Sequence, residues 1–368
     1  MNSPAGCVTA EGVSQTASGV RWPAEWERHD ATWLSWPHNV ETWPGQLEAV
    51  EAAFVEMVRA LVPHERVHIN AGGEALTARV RDRLAIAGID PEHDVELHEV
   101  ETDDAWVRDH GAIFVQQHHA TATGRRETSR VALDFRFNAW GGKYPPWSRD
   151  DAVAAAMAKH IGAEHRRIDF VLEGGSIEGN GAGSVITTES CLLNPNRNPR
   201  ADGSPPTRDE VEAELRDALA VDQVIWLAGG VEGDDTDGHI DDVARFVAED
   251  RIVCVREDDA HDPNAAVLAE NWSRLRAART PRGQPYDLVS LPMPPPIEHA
   301  GDRLPASYAN FYLANDVALV PVFDVPTDAR ALAVLADCLP GREIVAIEAR
   351  SLVLGLGAVH CLTQQVPA

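Results

Sequence analysis

A single thiol, Cys361, follows the stretch Gly355-Leu356-Gly357-Ala358-Val359-His360 and an apolar run, Ser351-Leu352-Val353-Leu354. The apolar run should tuck this segment inside, and two glycines let the backbone turn beside the sulfur. That makes Cys361 a candidate nucleophile. A structural core cysteine is the competing reading, so the decision rests on the polar segments elsewhere. In Gly233-Asp234-Asp235-Thr236-Asp237-Gly238-His239-Ile240-Asp241, His239 and Asp241 are two apart. On an extended segment they face one side, which places a candidate general acid/base beside a carboxylate. Glu173, in Leu172-Glu173-Gly174-Gly175-Ser176, ends an apolar strand and could orient His239 or raise its basicity. The alternative is a hydrogen-bonded structural acid. Asp109 follows Trp106 in Thr102-Asp103-Asp104-Ala105-Trp106-Val107-Arg108-Asp109-His110-Gly111. An aromatic face with a carboxylate suits a planar organic cation, whereas an Arg108–Asp109 ion pair would be structural. The acids near His239 could instead be a solvated loop or hold calcium, but their spacing is not that of an EF-hand. His110, His360 and Cys191 lack an evident partner and read as structural. The rigid aromatic loop Asn138–Trp147 could cover the cleft.

The elements that must position these groups recur as two strands, a helix and a strand. The first unit has a strand at Ala31–Trp36, a helix from about Gln46 to Leu61 and a strand at Arg66–Asn70; a helix at Ala75–Ala87 and a strand at Val95–Val100 lead onward. The second has strands at Ala112–Gln116, Val131–Phe137 and Ile168–Leu172 around a helix at Asp150–Ile161. The third pairs Ser184–Thr188 with Cys191–Asn194, then a helix at Arg208–Leu219 and a strand at Val224–Leu227. The fourth has Ala244–Ala248, Ile252–Arg256, a helix at Asn264–Ala277 and Leu288–Leu291; the fifth has Ala309–Leu313, Ala318–Phe323, a helix at Asp328–Cys338 and Ile344–Ile347. Asp150, Thr207 and Thr327 are plausible N-caps. Five similar units without long linkers suggest a closed ring whose loops converge on one axial cleft. An ordinary mixed α/β sheet is the alternative.

Composition narrows the function. The chain has 368 residues, five cysteines and a formal charge of −26. No basic stripe is present to neutralise phosphates, so nucleic acid is not an expected partner. The negative charge leans toward a cationic substrate, though it also serves solubility. No apolar run is long enough to span a bilayer. Scattered cysteines fit a reducing compartment, without disulfides or a zinc-ligand spacing, and residues 1–21 read as a flexible leader on a cytoplasmic protein.

Trp22-Pro23-Ala24-Glu25-Trp26-Glu27, Trp36-Pro37-His38-Asn39, Glu41-Thr42-Trp43-Pro44-Gly45, Asp103–Gly111, Phe137–Trp147, Leu172–Ile177, Leu193–Pro199, Asp234–Asp241 and His360-Cys361 together resemble the agmatine deiminase family. That family lies in the guanidine-modifying superfamily with the peptidylarginine and arginine deiminases. The resemblance runs from about Trp22 onward and implies one catalytic domain over residues 22–368. It implies a five-bladed α/β propeller of pseudo-fivefold ββαβ units. It also implies Cys361 as nucleophile, His239 as general acid/base, Asp109 and Asp241 holding the guanidinium, Glu173 supporting the site and Trp106 lining it. Asp103 joins Trp106, Asp109 and Asp241 in the expected substrate-binding set. The implied reaction is hydrolysis of agmatine to N-carbamoylputrescine and ammonia, in putrescine and polyamine biosynthesis, with no metal or organic cofactor; a homo-oligomer is left open. Arginine or peptidylarginine deimination, or polyamine binding without turnover, are the alternatives. Ala112, where the family usually has proline, and a tail less glycine-rich than is common are small departures.

Overall fold

A computed structural model describes residues 19–120 and 126–368. The expected leader falls outside the described residues up to position 18. Val20 and Arg21, at its end, form a strand against Gln116 and Gln117.

The fold is mixed α/β, built from small separate sheets. Five of these repeat one pattern: an antiparallel pair, then a parallel strand reached through a crossover helix, the connection that parallel pairing demands. Ile113–Ala120 and Arg126–Arg136 pair antiparallel, helix Val153–Ile161 crosses over, and Glu164–Val171 adds in parallel. Ala244–Ala248, Arg251–Arg256 and Asp287–Pro292 repeat this around helix Asn264–Ala277, as do Tyr312–Ala314, Val317–Val322 and Glu343–Glu348 around helix Asp328–Cys338. In the first unit His29–Ser35 takes its antiparallel partner from Gln364–Pro367, far along the chain, with Gln364 opposite Trp33. Helix Leu47–Leu61 then leads to the parallel strand Arg66–Asn70, and helix Glu74–Ile86 to Val95–His98. The helices turn apolar faces inward; Val50, Phe54, Met57, Val58 and Leu61 of the first are fully buried, as a 3.6-residue period requires.

Several expectations are corrected. Cys191–Asn194 is not a strand: Glu189–Leu192 is a helical turn, begun where the Thr188 hydroxyl accepts from the Cys191 N–H. The antiparallel partner of Ser184–Thr188 is Ile177–Gly179, and helix Arg208–Leu219 leads on to the parallel strand Gln223–Leu227. In the fifth unit the first strand begins only at Tyr312, leaving Ala309–Phe311 as a buried connection. Thr207 caps its helix in a capping box with Glu210. Asp150 does not cap Val153–Ile161; its carboxylate accepts from the Asp103 N–H at 2.7 Å. Thr327 precedes its helix without a side-chain cap, and Asp328 instead accepts from the Val325 N–H. Among the described residues no helix is long and apolar enough to cross a membrane.

Candidate active site

The turn Leu352–Gly355 is helical, and Leu356 takes the left-handed conformation (φ 70°). The tail glycines therefore do not make the turn. Their role is close approach: a Cβ on Gly357 would stand 2.5 Å from the Trp106 ring. Without one, the chain lies flat on that indole and delivers Cys361, 6% exposed, beside it. The sulfur sits 3.1 Å from Asn310 Nδ2 and 3.5 Å from Asp241 Oδ2.

Asp241 lies in a short helical turn, Ile240–Asp242, so alternation along an extended segment is not what brings it beside His239. The preceding acids hold the loop. Asp234 accepts from the His239 N–H at 2.9 Å, and Asp237 pairs with Arg197 and Lys143. Gly175 shows how tightly the site is drawn. A Cβ there would stand 2.7 Å from His239 Nδ1, 2.8 Å from Asp109 Oδ1 and 3.1 Å from Asp241 Oδ2. Even one added carbon would crowd all three, so the missing side chain is what lets these groups converge. Asp109 is oriented by the Trp140 indole N–H and the Gly175 N–H, both at 3.0 Å. Its neighbour Arg108 turns away to Glu25 and Gln365, so no Arg108–Asp109 pair forms.

Glu173 is fully buried and takes the Arg197 guanidinium on Oε1 at 3.0 Å, while Oε2 has no protein partner. It stands near His239 and Cys191 without hydrogen-bonding to the imidazole, whose Nδ1 lies 3.7 Å from Asp109 Oδ1 and whose nitrogens make no protein hydrogen bond. A cavity of about 780 Å³ opens above, walled by Trp106, Trp140, Asp103, Asp104 and Asp235 and reaching Asp109 and Gly355. Cys361, His239 and Asp241 do not line it. They lie deeper, behind the two indoles and Asp109. Asp103 is fixed at the wall by accepting the Arg149 N–H at 2.9 Å.

Charge in this dry site sets the protonation states. Burial, then the charges of Asp241, Asp242 and Asp109, push the Cys361 thiol well above its ordinary range, with the Asn310 hydrogen bond opposing weakly. Burial raises Asp109 to about 6, with His239 opposing and Asp241 adding to the rise. For His239, burial disfavours the imidazolium, but Asp109 and the other anions outweigh it and hold the ring's pKa well above normal. For Asp241, burial pushes upward and is overcome by the His360 hydrogen bond and charge. These directions favour a thiol over a thiolate at Cys361 and an imidazolium over a neutral ring at His239.

Four participants escaped the sequence reading. Asn310 binds the sulfur. Trp140, in the loop read only as a possible cover, fixes Asp109. His360, read as structural, bridges Asp241 Oδ2 (2.7 Å) and Glu25 Oε2 (2.8 Å). Glu25 also takes Arg245 and Arg108 at 2.7 and 3.2 Å. Its place in the tryptophan-rich run Trp22–Glu27 was the one available signal. Replacing Glu25 by alanine takes a carboxylate from two buried guanidiniums, of which Arg245 keeps Glu178 and Arg108 keeps only neutral partners; removing one partner of a buried ion pair costs roughly 3–5 kcal/mol. A denaturant titration of Glu25→Ala is expected to show a loss of that size.

A model of the Porphyromonas-type peptidyl-arginine deiminase family matches residues 21–367. The chain belongs to that family. Agmatine deiminase of Ectopseudomonas mendocina is 38% identical over 96% of both chains, and that of Pseudomonas aeruginosa strain UCBPP-PA14 is 37% identical with the same coverage. Among solved structures, agmatine deiminase of Enterococcus faecalis superposes with a TM-score of 0.87 at 30% identity, covering 97% of this chain and 98% of that one. A C. jejuni agmatine deiminase with a cysteine-to-serine change and substrate bound gives 0.82 at 30% identity, covering 95% and 96%. A putative arginine deiminase from Porphyromonas gingivalis gives 0.82 at 37% identity, covering 95% and 98%. In this member of the peptidyl-arginine deiminase family, Cys361, His239, Asp109, Asp241, Trp106 and Glu173 gather at one place; Asp103 stands apart on the cavity wall.

Proposed function

We propose that this protein is an agmatine deiminase, hydrolysing agmatine to N-carbamoylputrescine and ammonia, with residues 22–368 as one catalytic domain. In this reading the five repeated sheets are the blades of a ring around the site. The observation that carries it is the convergence of Asp109, Asp241 and His239 on Gly175, with Asp241 Oδ2 3.5 Å from the Cys361 sulfur. A guanidinium is a resonance-stabilised cation and a poor electrophile. Two carboxylates gripping its nitrogens fix its plane and aim the central carbon at sulfur. As the cation enters, it offsets the charges that hold the thiol protonated; Cys361 releases its proton to solvent, and the thiolate attacks the central carbon. The tetrahedral adduct collapses when the protonated His239 donates to the leaving ammonia. Water, deprotonated by the now neutral His239, then adds to the thiouronium carbon. The tetrahedral adduct collapses, the C–S bond breaks, its hydroxyl proton passes to the departing sulfur, and the ureido product leaves with the thiol restored.

The cavity wall favours agmatine over arginine. An α-carboxylate needs a free cation, but Lys143 is engaged by Asp235 and Asp237, and Arg149 by Glu101. Ammonia release from agmatine, with arginine and a blocked arginine peptide as comparisons, tests this. Turnover of either comparison at the agmatine rate refutes the assignment.

Asp109 must be anionic to hold the cation, and its pKa stands at about 6. kcat/KM for agmatine is therefore expected to fall as pH drops through about 6, by about tenfold per unit below it. A profile flat down to pH 5 contradicts that role.

A further inference from the structure

We infer that His68, His98 and Glu96 form a binding site for one divalent d-block cation of the zinc type, separate from the catalytic centre. His68 lies on the strand Arg66–Asn70 and pairs in register with Glu96 on the neighbouring parallel strand, which also carries His98. His68 Nδ1 and His98 Nε2 are 2.8 Å apart, and Glu96 Oε2 is 3.6 Å from the same His68 nitrogen. A tetrahedral zinc ion with bonds of about 2.0–2.1 Å sets its donors about 3.4 Å apart. Three donors of suitable type thus already stand close to the required spacing. Two ring nitrogens at 2.8 Å cannot both point protons at each other, so at least one presents a lone pair. The rings have little freedom to leave: Trp33 stacks on His68 and His98, with centroids at 4.6 and 4.8 Å. Glu96 keeps its other oxygen on Arg66 at 3.4 Å. His160, with its ring centroid 4.1 Å from that of His98, is a nearby third imidazole. An ion here would tie two strands whose continuation leads to Asp103 on the cavity wall.

The test uses full-length protein stripped with a chelator, then titrated with Zn²⁺ by calorimetry and with Co²⁺ by visible absorption. One ion per chain is expected, with a four-coordinate cobalt spectrum lacking sulfur-to-metal charge transfer. Affinity should fall by about tenfold or more in His98→Gln and severalfold in Glu96→Gln, since each removes one ligand. Zn²⁺ should raise the melting temperature of the unsubstituted chain, because it binds only the folded state, and raise that of Glu96→Gln less. Glu96 is exposed, so its variant remains testable if His98→Gln fails to fold. Absence of binding, undiminished affinity in Glu96→Gln, or a thiolate charge-transfer band each overturns the inference. The last would place the ion on Cys191 with Glu173 and His239.

Discussion

Cys361→Ser is expected to lower ammonia release from agmatine by roughly four orders of magnitude or more, the scale seen when a covalent nucleophile is removed. Serine is smaller and its oxygen can still accept from Asn310, so folding should be spared and the melting temperature nearly unchanged. The carboxylates that grip the cation are untouched. The variant should therefore bind agmatine about as tightly as the unsubstituted enzyme, and calorimetry can measure this without turnover interfering. Retained deimination would remove the sulfur from the mechanism. Lost binding together with lost turnover would mean that the substitution had disturbed the site's structure, and mass spectrometry for a covalent adduct on Cys361 of the unsubstituted enzyme would then decide the sulfur's role.

Asp241→Asn should move two observables in opposite directions. The Asp241 carboxylate is, after burial itself, the largest influence holding the Cys361 thiol above its ordinary pKa. Removing its charge should lower that pKa, so that iodoacetamide alkylates the empty site faster at pH 8 than in the unsubstituted protein. The same change removes half of the grip on the guanidinium. Loss of one preorganised electrostatic contact costs roughly 10²–10³ in rate, and kcat/KM for agmatine should fall by about that much. A better nucleophile on a worse enzyme is the signature of a thiol ionised by its substrate. In the unsubstituted protein, an inert cationic ligand held by the same carboxylates should accelerate alkylation of any thiol it leaves accessible. A low thiol pKa in the empty site, or an Asp241→Asn variant whose thiol is no more reactive, would instead make the His239 imidazolium the source of ionisation.

Arg208–Leu219 and Asp328–Cys338 were readable from apolar residues at helical spacing and begin and end where expected; Asn264–Ala277 does so too, although its buried face includes Asn264 and Asn271. Ile177–Gly179 was not readable. It is three residues long, and its middle residue, Glu178, is buried with its carboxylate on Arg245 and on the Phe246 N–H, both at 2.8 Å. A strand whose buried centre is a paired carboxylate has no apolar signature. The site divides in the same way. Cys361, His239 and the two aspartates stand out by type and by neighbouring glycines. Asn310 is a neutral residue in an apolar stretch, and nothing local shows that a sulfur 51 positions later will need its amide. His360 was set aside for want of a partner, and its partners, Asp241 and Glu25, lie 119 and 335 positions away.

The pairing of Gln364–Pro367 with His29–Ser35 bears on how the protein becomes active. Contacts between segments so distant along the backbone carry the greatest loop-closure entropy and form late. Cys361 is three residues from that closing strand, so the sulfur reaches its acids only as this seam is stitched. During refolding, circular dichroism should recover first as the local units form. Deiminase turnover should return last, on the timescale of the seam.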